Sequence, residues 1–317
     1  MIREQSGDGS DGERPRVLCA GHVNWDVTLI VDSLPAPDGE VRIERRHQAG
    51  GGSAANVAVG LAGMNAHAAL FGSVGDDESG RLAARELSSA GVTTHLVETT
   101  GETAVKYIIV DAAGEVMLLS NDGANEAFTP DDLPPEALTA DTDLLHLTNQ
   151  PPAVAAALAE RAREVGATVS FAPGRQFAKR EFEATLALAD VVFCNRREAA
   201  ALLDVDDDGN SPYGALRDDA TLVVTHGAAG SEVHVRAHDR TYTHDGFDAE
   251  VVDTTGAGDA FAAGFLAARL AGDDHEQSLA VANACGALAA GEVGARVEVS
   301  WERVAAFLDG VDDVSRV

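Results

Sequence analysis

The chain has 317 residues, 45% of them hydrophobic, and a formal net charge of -29 from 52 acidic and 23 basic side chains. That length suits one large α/β domain with a sizeable core. So negative a surface repels nucleic acid and anionic membranes, so neither is expected as a partner.

Residues 1–15, MIREQSGDGSDGERP, are polar and charged. They read as a disordered acidic arm rather than a cleavable signal. Residues 16–34 begin as a strand and continue as alternating apolar and polar positions, as do 41–49 and 103–120. In the last of these, Ala112-Ala113-Gly114 marks a hairpin turn. Between them, AGGGSAANVAVGLAGMN (49–65) sets three glycines before a small-residue helix, and 71–92 reads as strand, loop, helix. Four short apolar runs follow: LLHLT (144–148), TVSFA (168–172), VVFCN (191–195) and LVVTHG (222–227). Helical stretches separate them, which predicts a parallel sheet covered by helices on both faces. Residues 233–247 return to a hairpin pattern at a sheet edge, and the chain closes on two helices around a loop. The acidic loop DVDDDGN (204–210) is the one low-complexity tract besides the arm.

The acid is spread along the chain, which reads as adaptation to a salt-rich, potassium-rich cytoplasm where repulsion is screened. Cys19, Cys194 and Cys285 are widely spaced in apolar contexts. They show neither disulfide nor metal spacing and read as buried thiols in a reducing compartment. No apolar run reaches transmembrane length, and a cytoplasmic protein is expected.

Residues 251–270, VVDTTGAGDAFAAGFLAARL, carry the most chemistry. A β-branched run stops at Asp253, a Gly-Ala-Gly turn follows, and a helix begins at its end. The N–H groups of Gly256, Ala257, Gly258 and Asp259 lie where a new helix leaves its first donors unpaired, an arrangement that attracts anions. A carboxylate in such a turn makes sense if Asp259 takes a proton from an attacking hydroxyl while the amides hold a transferring phosphoryl group. The alternative is a helix-capping Asp.

The two glycine motifs, GGGSAAN early and DTTGAGD late, stand in the order and spacing of the ribokinase-like (PfkB) carbohydrate kinase family, which the chain resembles over about residues 16–309. The resemblance implies a doubly wound, mainly parallel sheet with helices on both faces. It also implies a small β-sheet lid, here formed by about 27–48 and 103–121, and in many members a homodimer through that lid. The kinase domain would then span 16–317. It implies an ATP-dependent phosphotransferase acting on a sugar hydroxyl, with Asp259 as base.

By the same resemblance, Asp26 binds substrate hydroxyls with Asn24 alongside, and Gly51, Gly52 and Asn56 match the sugar-binding GGxxxN pattern. Asn195 and Glu198 match the N-x-x-E motif that organises Mg²⁺ and its waters; an N-cap Asn with a first-turn Glu is the plainer alternative. Thr225 and Gly227 fall beside the ATP phosphates and ribose, and Asn283 at the adenine pocket. Asp253 and Thr255, with carbonyls of Ala290–Gly294, match a monovalent cation site, expected to hold K⁺. Ser53 replaces a lysine of ribokinase itself, and Asn149 a carboxylate; both depart from plain ribose binding. Lys106 and Arg175 occupy positions that face substrate in related kinases.

An anionic acceptor, a sugar phosphate or sugar acid, would give Lys106 and Arg175 a counter-charge. A snorkelling lysine and a locally paired arginine are the plainer alternatives. A nucleoside acceptor is less favoured, because only Trp25 and Tyr107 could stack on a base. A non-catalytic sugar sensor is disfavoured because Asp259, Gly256 and Gly258 are all retained. A dinucleotide-binding oxidoreductase would rest on the loose match of Gly50, Gly52 and Ala55 alone. No P-loop lysine motif occurs.

Overall fold

The computed structural model describes residues 14–204 and 211–314. The expected arm lies outside them except for Arg14 and Pro15, and the acidic loop except for Asp204.

The chain enters the main sheet with β1 (Arg16–Ala20), crosses to the small sheet with β2 (Asn24–Val31) and β3 (Ile43–Gly51), and returns through α1 (Ser53–Gly63). It rejoins the main sheet with β4 (His67–Gly75), α2 (Glu78–Ser89) and β5 (Thr93–Thr99). A second excursion adds β6 (Ala104–Val110) and β7 (Val116–Ser120) to the small sheet. Repeated strand–helix units follow: β8 (Leu144–Thr148), α3 (Pro152–Val165), β9 (Thr168–Ala172), α4 (Glu183–Leu186), β10 (Val191–Asn195) and α5 (Arg196–Leu203). Then come β11 (Thr221–Thr225), the hairpin β12 (Ser231–Val235) and β13 (Arg240–His244), and the helices α6 (Ala257–Leu270), α7 (His275–Ala290) and α8 (Trp301–Val314).

The main sheet has nine strands in the order β13-β12-β11-β10-β9-β8-β1-β4-β5, and the small sheet four in the order β3-β2-β6-β7. All main-sheet pairs are parallel except β11–β12 and β12–β13 at one edge. The expected edge hairpin is therefore present. The sequence pattern did not anticipate β5. It is an edge strand without an apolar run, and its residues are half-buried or exposed.

Side chains of β1 alternate between two cores. Val17 and Cys19 join the core beneath α1, α6 and α7, while Leu18 and Ala20 join the one beneath α3. This alternation follows from the period of two along a strand. It is why the central strands read as continuous apolar runs. All three cysteines are buried free thiols, and burial pushes the Cys285 thiol up to about 12.

Local signals set the helix ends. Asp77 accepts from the Gly80 amide at 2.9 Å to cap α2, and Asp274 with Gln277 forms a capping box on α7. Helix α3 starts at Pro152 and stops at Gly166 in the left-handed region. Among the described residues no helix is long and apolar enough to cross a membrane.

The small residues of α1 and α6 let these helices approach closely. A Cβ on Gly60 would lie 2.7 Å from Ala263 Cβ, and one on Gly264 would lie 2.6 Å from Cys285 Sγ of α7. Gly264→Val should therefore overpack the α6–α7 seam and cost about 1–3 kcal/mol. Urea unfolding tests this, and an unchanged midpoint would show slack in the seam.

Candidate active site

Asp259 sits in the first turn of α6, whose N-cap is Gly256 at φ 78°. Gly256 is required twice over, by that left-handed backbone and by the Ala295 carbonyl, which a Cβ would strike. Gly258 differs: a Cβ there would meet nothing within 4 Å. The space in front of it is open to a ligand. The Ala257 amide donates to the Thr254 carbonyl at 3.3 Å, so of the four expected anion-hole amides it is already engaged. The amides of Gly258 and Asp259 have no partner among the described residues.

Burial raises the Asp259 carboxyl to about 6. Donation from Asn56, the Ser53 hydroxyl and the charge of Lys106 oppose that rise, and Asp26 adds to it. Asn56 Nδ2 donates to Asp259 Oδ2 at 2.7 Å across 203 residues of sequence.

On one side of Asp259 the structure gathers the expected sugar-binding residues. Asp26 is 5% exposed, and neither carboxylate oxygen has a partner among the described residues. Burial raises its pKa; Lys106 and Arg296 oppose the rise, while Asp253 adds to it. Asp26 and Lys106 are paired neighbours on β2 and β6, which puts them on one face. A Cβ on Gly51 would collide with the Asp26 carboxylate, and Gly52 has φ 99° at the N-cap of α1. Asn24 accepts from Asn125 Nδ2 at 2.9 Å. Asn149 directly follows β8 with φ 39°, pressed against Gly174.

The residues expected at the nucleotide lie toward β10–β12. Asn195 and Glu198 form a complete capping box on α5: Asn195 Oδ1 accepts from the Arg197 and Glu198 amides, and Glu198 accepts from the Asn195 amide at 3.0 Å. Burial raises the Glu198 pKa, and Asn195 and Arg175 hold it down. The charge of Arg175 thus acts on Glu198, while that of Lys106 acts on Asp26 and Asp259. Thr225 opposes Ser231 across β11–β12, and Ser231 Oγ accepts from the buried Asn283 at 2.7 Å. Gly227 has φ 63° and open space before it. Asp253 ties two loops together, accepting from the Thr255 amide at 2.9 Å and the Gly294 amide at 3.0 Å.

Sequence reasoning missed Arg296, Glu86 and Asn125. Arg296 Nε donates to Asn56 Oδ1 at 3.2 Å, and Nη2 to the Gly51 carbonyl at 2.9 Å. It comes from the segment between α7 and α8, where nothing local marks it. Its importance depends on a contact 240 residues away.

A doubly wound sheet, a small second sheet and a half-buried carboxylate at a glycine-turned helix N-terminus define a carbohydrate kinase of the ribokinase fold. The chain belongs to the pfkB family of carbohydrate kinases, whose profile matches residues 14–302. It is 53% identical over 296 residues to an ATP-dependent ribose-1-phosphate kinase from Halopiger xanaduensis, spanning 92% of this chain and 98% of that protein. A nucleoside kinase from Methanothermobacter thermautotrophicus is 28% identical over 266 residues, 81% of this chain and 84% of the relative. The ribokinase structure from Thermotoga maritima superposes with a TM-score of 0.80, covering 93% of this chain and 99% of that one at 23% identity.

The raised pKa of Asp259 carries a stability consequence. Its folded value of about 6 stands above the ordinary 3.8, so its contribution is full below that ordinary value and is lost as pH rises through about 6. Asp259→Asn should therefore stabilise the apo protein above pH 6, by up to about 3 kcal/mol, and change little below pH 4. Thermal melts of both proteins across this range test it. A substitution equally neutral at pH 4 and pH 8 would contradict the raised pKa of Asp259.

Proposed function

We propose that the protein transfers the terminal phosphoryl group of ATP to a hydroxyl of a sugar phosphate, with ribose-1-phosphate the first acceptor to try. The observation that carries this reading is Asp259, half-buried beside two unpaired amides and an open glycine. The high identity to the Halopiger xanaduensis kinase along nearly its whole length supports the acceptor class.

In this reading the acceptor lies against Asp26, whose bare oxygens take two of its hydroxyls. The remaining hydroxyl oxygen attacks the terminal phosphorus, the bond from phosphorus to the ADP oxygen breaks, and Asp259 accepts the hydroxyl proton. The amides of Gly258 and Asp259 face the phosphoryl oxygens as charge shifts onto the leaving group. The small sheet acts as a lid over the acceptor and excludes water. Its exposed Tyr107, Val116, Leu118 and Leu119 offer apolar surface for the homodimer expected of the lid.

Asn195 and Glu198 fit a Mg²⁺ held through water. The box leaves lone pairs on the Glu198 carboxylate, which has about four. The ion would neutralise phosphate charge when bound. Asp253 and Thr255 are assigned to a monovalent cation, K⁺ in a salt-rich cytoplasm, together with carbonyls of the facing loop. Asp253 already joins that loop through Gly294.

A nucleoside acceptor is the weaker reading. Trp25 is buried in the core, and Tyr107, next to Lys106 along β6, projects from the opposite face. Neither ring is placed to stack on a base beside Asp26.

Asp259→Asn should lower kcat by about a hundredfold to ten-thousandfold while leaving ATP affinity unchanged. Steady-state turnover on a panel of sugars, sugar phosphates, sugar acids and nucleosides, run in high potassium chloride, is the test. Retention of more than half the wild-type rate would remove Asp259 as base.

Lys106→Met separates anionic from neutral acceptors. Loss of a charge-assisted hydrogen bond worth about 1.5–3 kcal/mol should lower kcat/KM on ribose-1-phosphate by about ten- to a hundredfold. The KM for ATP should not move. A neutral sugar used equally by both proteins, with anionic acceptors used by neither, would overturn the anionic reading and leave the kinase assignment intact.

A further inference from the structure

Arg296 is committed on three sides although its side chain is only 8% exposed. Besides Asn56 and the Gly51 carbonyl, its Nη1 lies 3.4 Å from Glu86 Oε2, and the same carboxylate oxygen accepts from the Gly50 amide at 2.7 Å. The guanidinium packs so closely on Gly50 that a Cβ there would overlap it. Arginine and glutamate thus clamp the two residues that carry β3 into α1.

The chemistry of the donors makes the clamp directional. A guanidinium only donates, and an ionised carboxylate only accepts. Asn56 stands between the two, with Oδ1 toward Arg296 and Nδ2 toward Asp259. Only this amide orientation satisfies both neighbours. A flipped amide would turn its oxygen on the Asp259 carboxylate and its NH₂ on the arginine.

We propose that Arg296 is a positioning residue of the phosphoryl transfer, locking the Asn56 amide so that it donates to Asp259 and pinning the Gly50–Gly51 end of β3 beside Asp26. Its catalytic consequence rests on the kinase reading above; its hold on Asp259 does not. The groups that face Asp259 are Asn56 and Ser53 from α1, Asp26 from β2 and Lys106 from β6. Arg296 feels the charges of Glu86, Asp26 and Asp259. Arg296 is the one among them that fixes which end of the amide Asp259 meets.

The test uses Arg296→Gln and Arg296→Lys, each alone and combined with Asp259→Asn. The pH at which the stabilisation by Asp259→Asn levels off is set by the folded-state ionisation of Asp259 and reports it without any substrate. In the Arg296→Gln background it should move up by about one unit, because a donated hydrogen bond and a nearby cation are both lost. Arg296→Lys keeps the charge but not the fork, and should recover part of the shift.

With ribose-1-phosphate and ATP, the acid limb of kcat/KM should move up by the same interval, about a fivefold loss near pH 6 that approaches tenfold at lower pH. The KM for ATP should stay constant. A folded Arg296→Gln protein with an unmoved Asp259 midpoint would reduce Arg296 to a structural ion pair and overturn the proposal. Should that variant fail to fold, an unmoved midpoint in Arg296→Lys together with wild-type kcat/KM overturns it equally. A wild type that phosphorylates no acceptor would sink the kinase reading, while the melts still decide the hold of Arg296 on Asp259.

Discussion

The hydrogen bond from Asn56 to Asp259 is the contact on which the rest of the site depends. It joins the N-terminal turns of α1 and α6, which are far apart in sequence. It can form because both helices are built of small residues and approach almost backbone to backbone at Gly60 and Ala263. Larger side chains on that seam would push the turns apart, and the carboxylate would lose its donor. The alanine-rich composition of these helices is therefore part of the site's geometry as much as of the core.

That geometry holds a carboxylate where solvation is poor. The arrangement disfavours the charged form, and the surroundings restore only part of the loss through Asn56, Ser53 and Lys106. Such a compromise is common where a group must take a proton near neutral pH. Stability given up at Asp259 has to be recovered in the two cores of the doubly wound sheet. A net charge of -29 would make a further buried carboxylate, Asp26, still costlier. Lys106 and Arg296 offset it, so two cations 190 residues apart in sequence converge on Asp26.

The small sheet and the segment after α7 meet at this point. Strand β3 delivers Gly50 and Gly51, β2 delivers Asp26, β6 delivers Lys106, and Arg296 closes the set from the C-terminal side. Asp253 makes a similar join between the loop before α6 and the loop after α7. The glycine turn at α6 is thus bounded by contacts from both directions, which fixes where its free amides point.

The sequence by itself determined the fold class and the two glycine motifs. The central strands are buried on both faces, so they appear as continuous apolar runs, and the left-handed backbone at Gly256 already favours glycine before the Ala295 contact is counted. Edge strand β5 escaped because half-buried polar residues leave no apolar run. Asp259, Asn56 and Asp26 were legible because each sits in a local motif. Arg296, Glu86 and Asn125 were not, because each acquires its partners only when distant segments pack. The same holds for charge: Lys106 and Arg175 looked alike in the sequence, yet the fold sets one beside Asp26 and Asp259 and the other beside Glu198. A sequence records which side chains can donate or accept; tertiary packing alone decides which of them meet, and at a distance of a few ångströms that decides the chemistry.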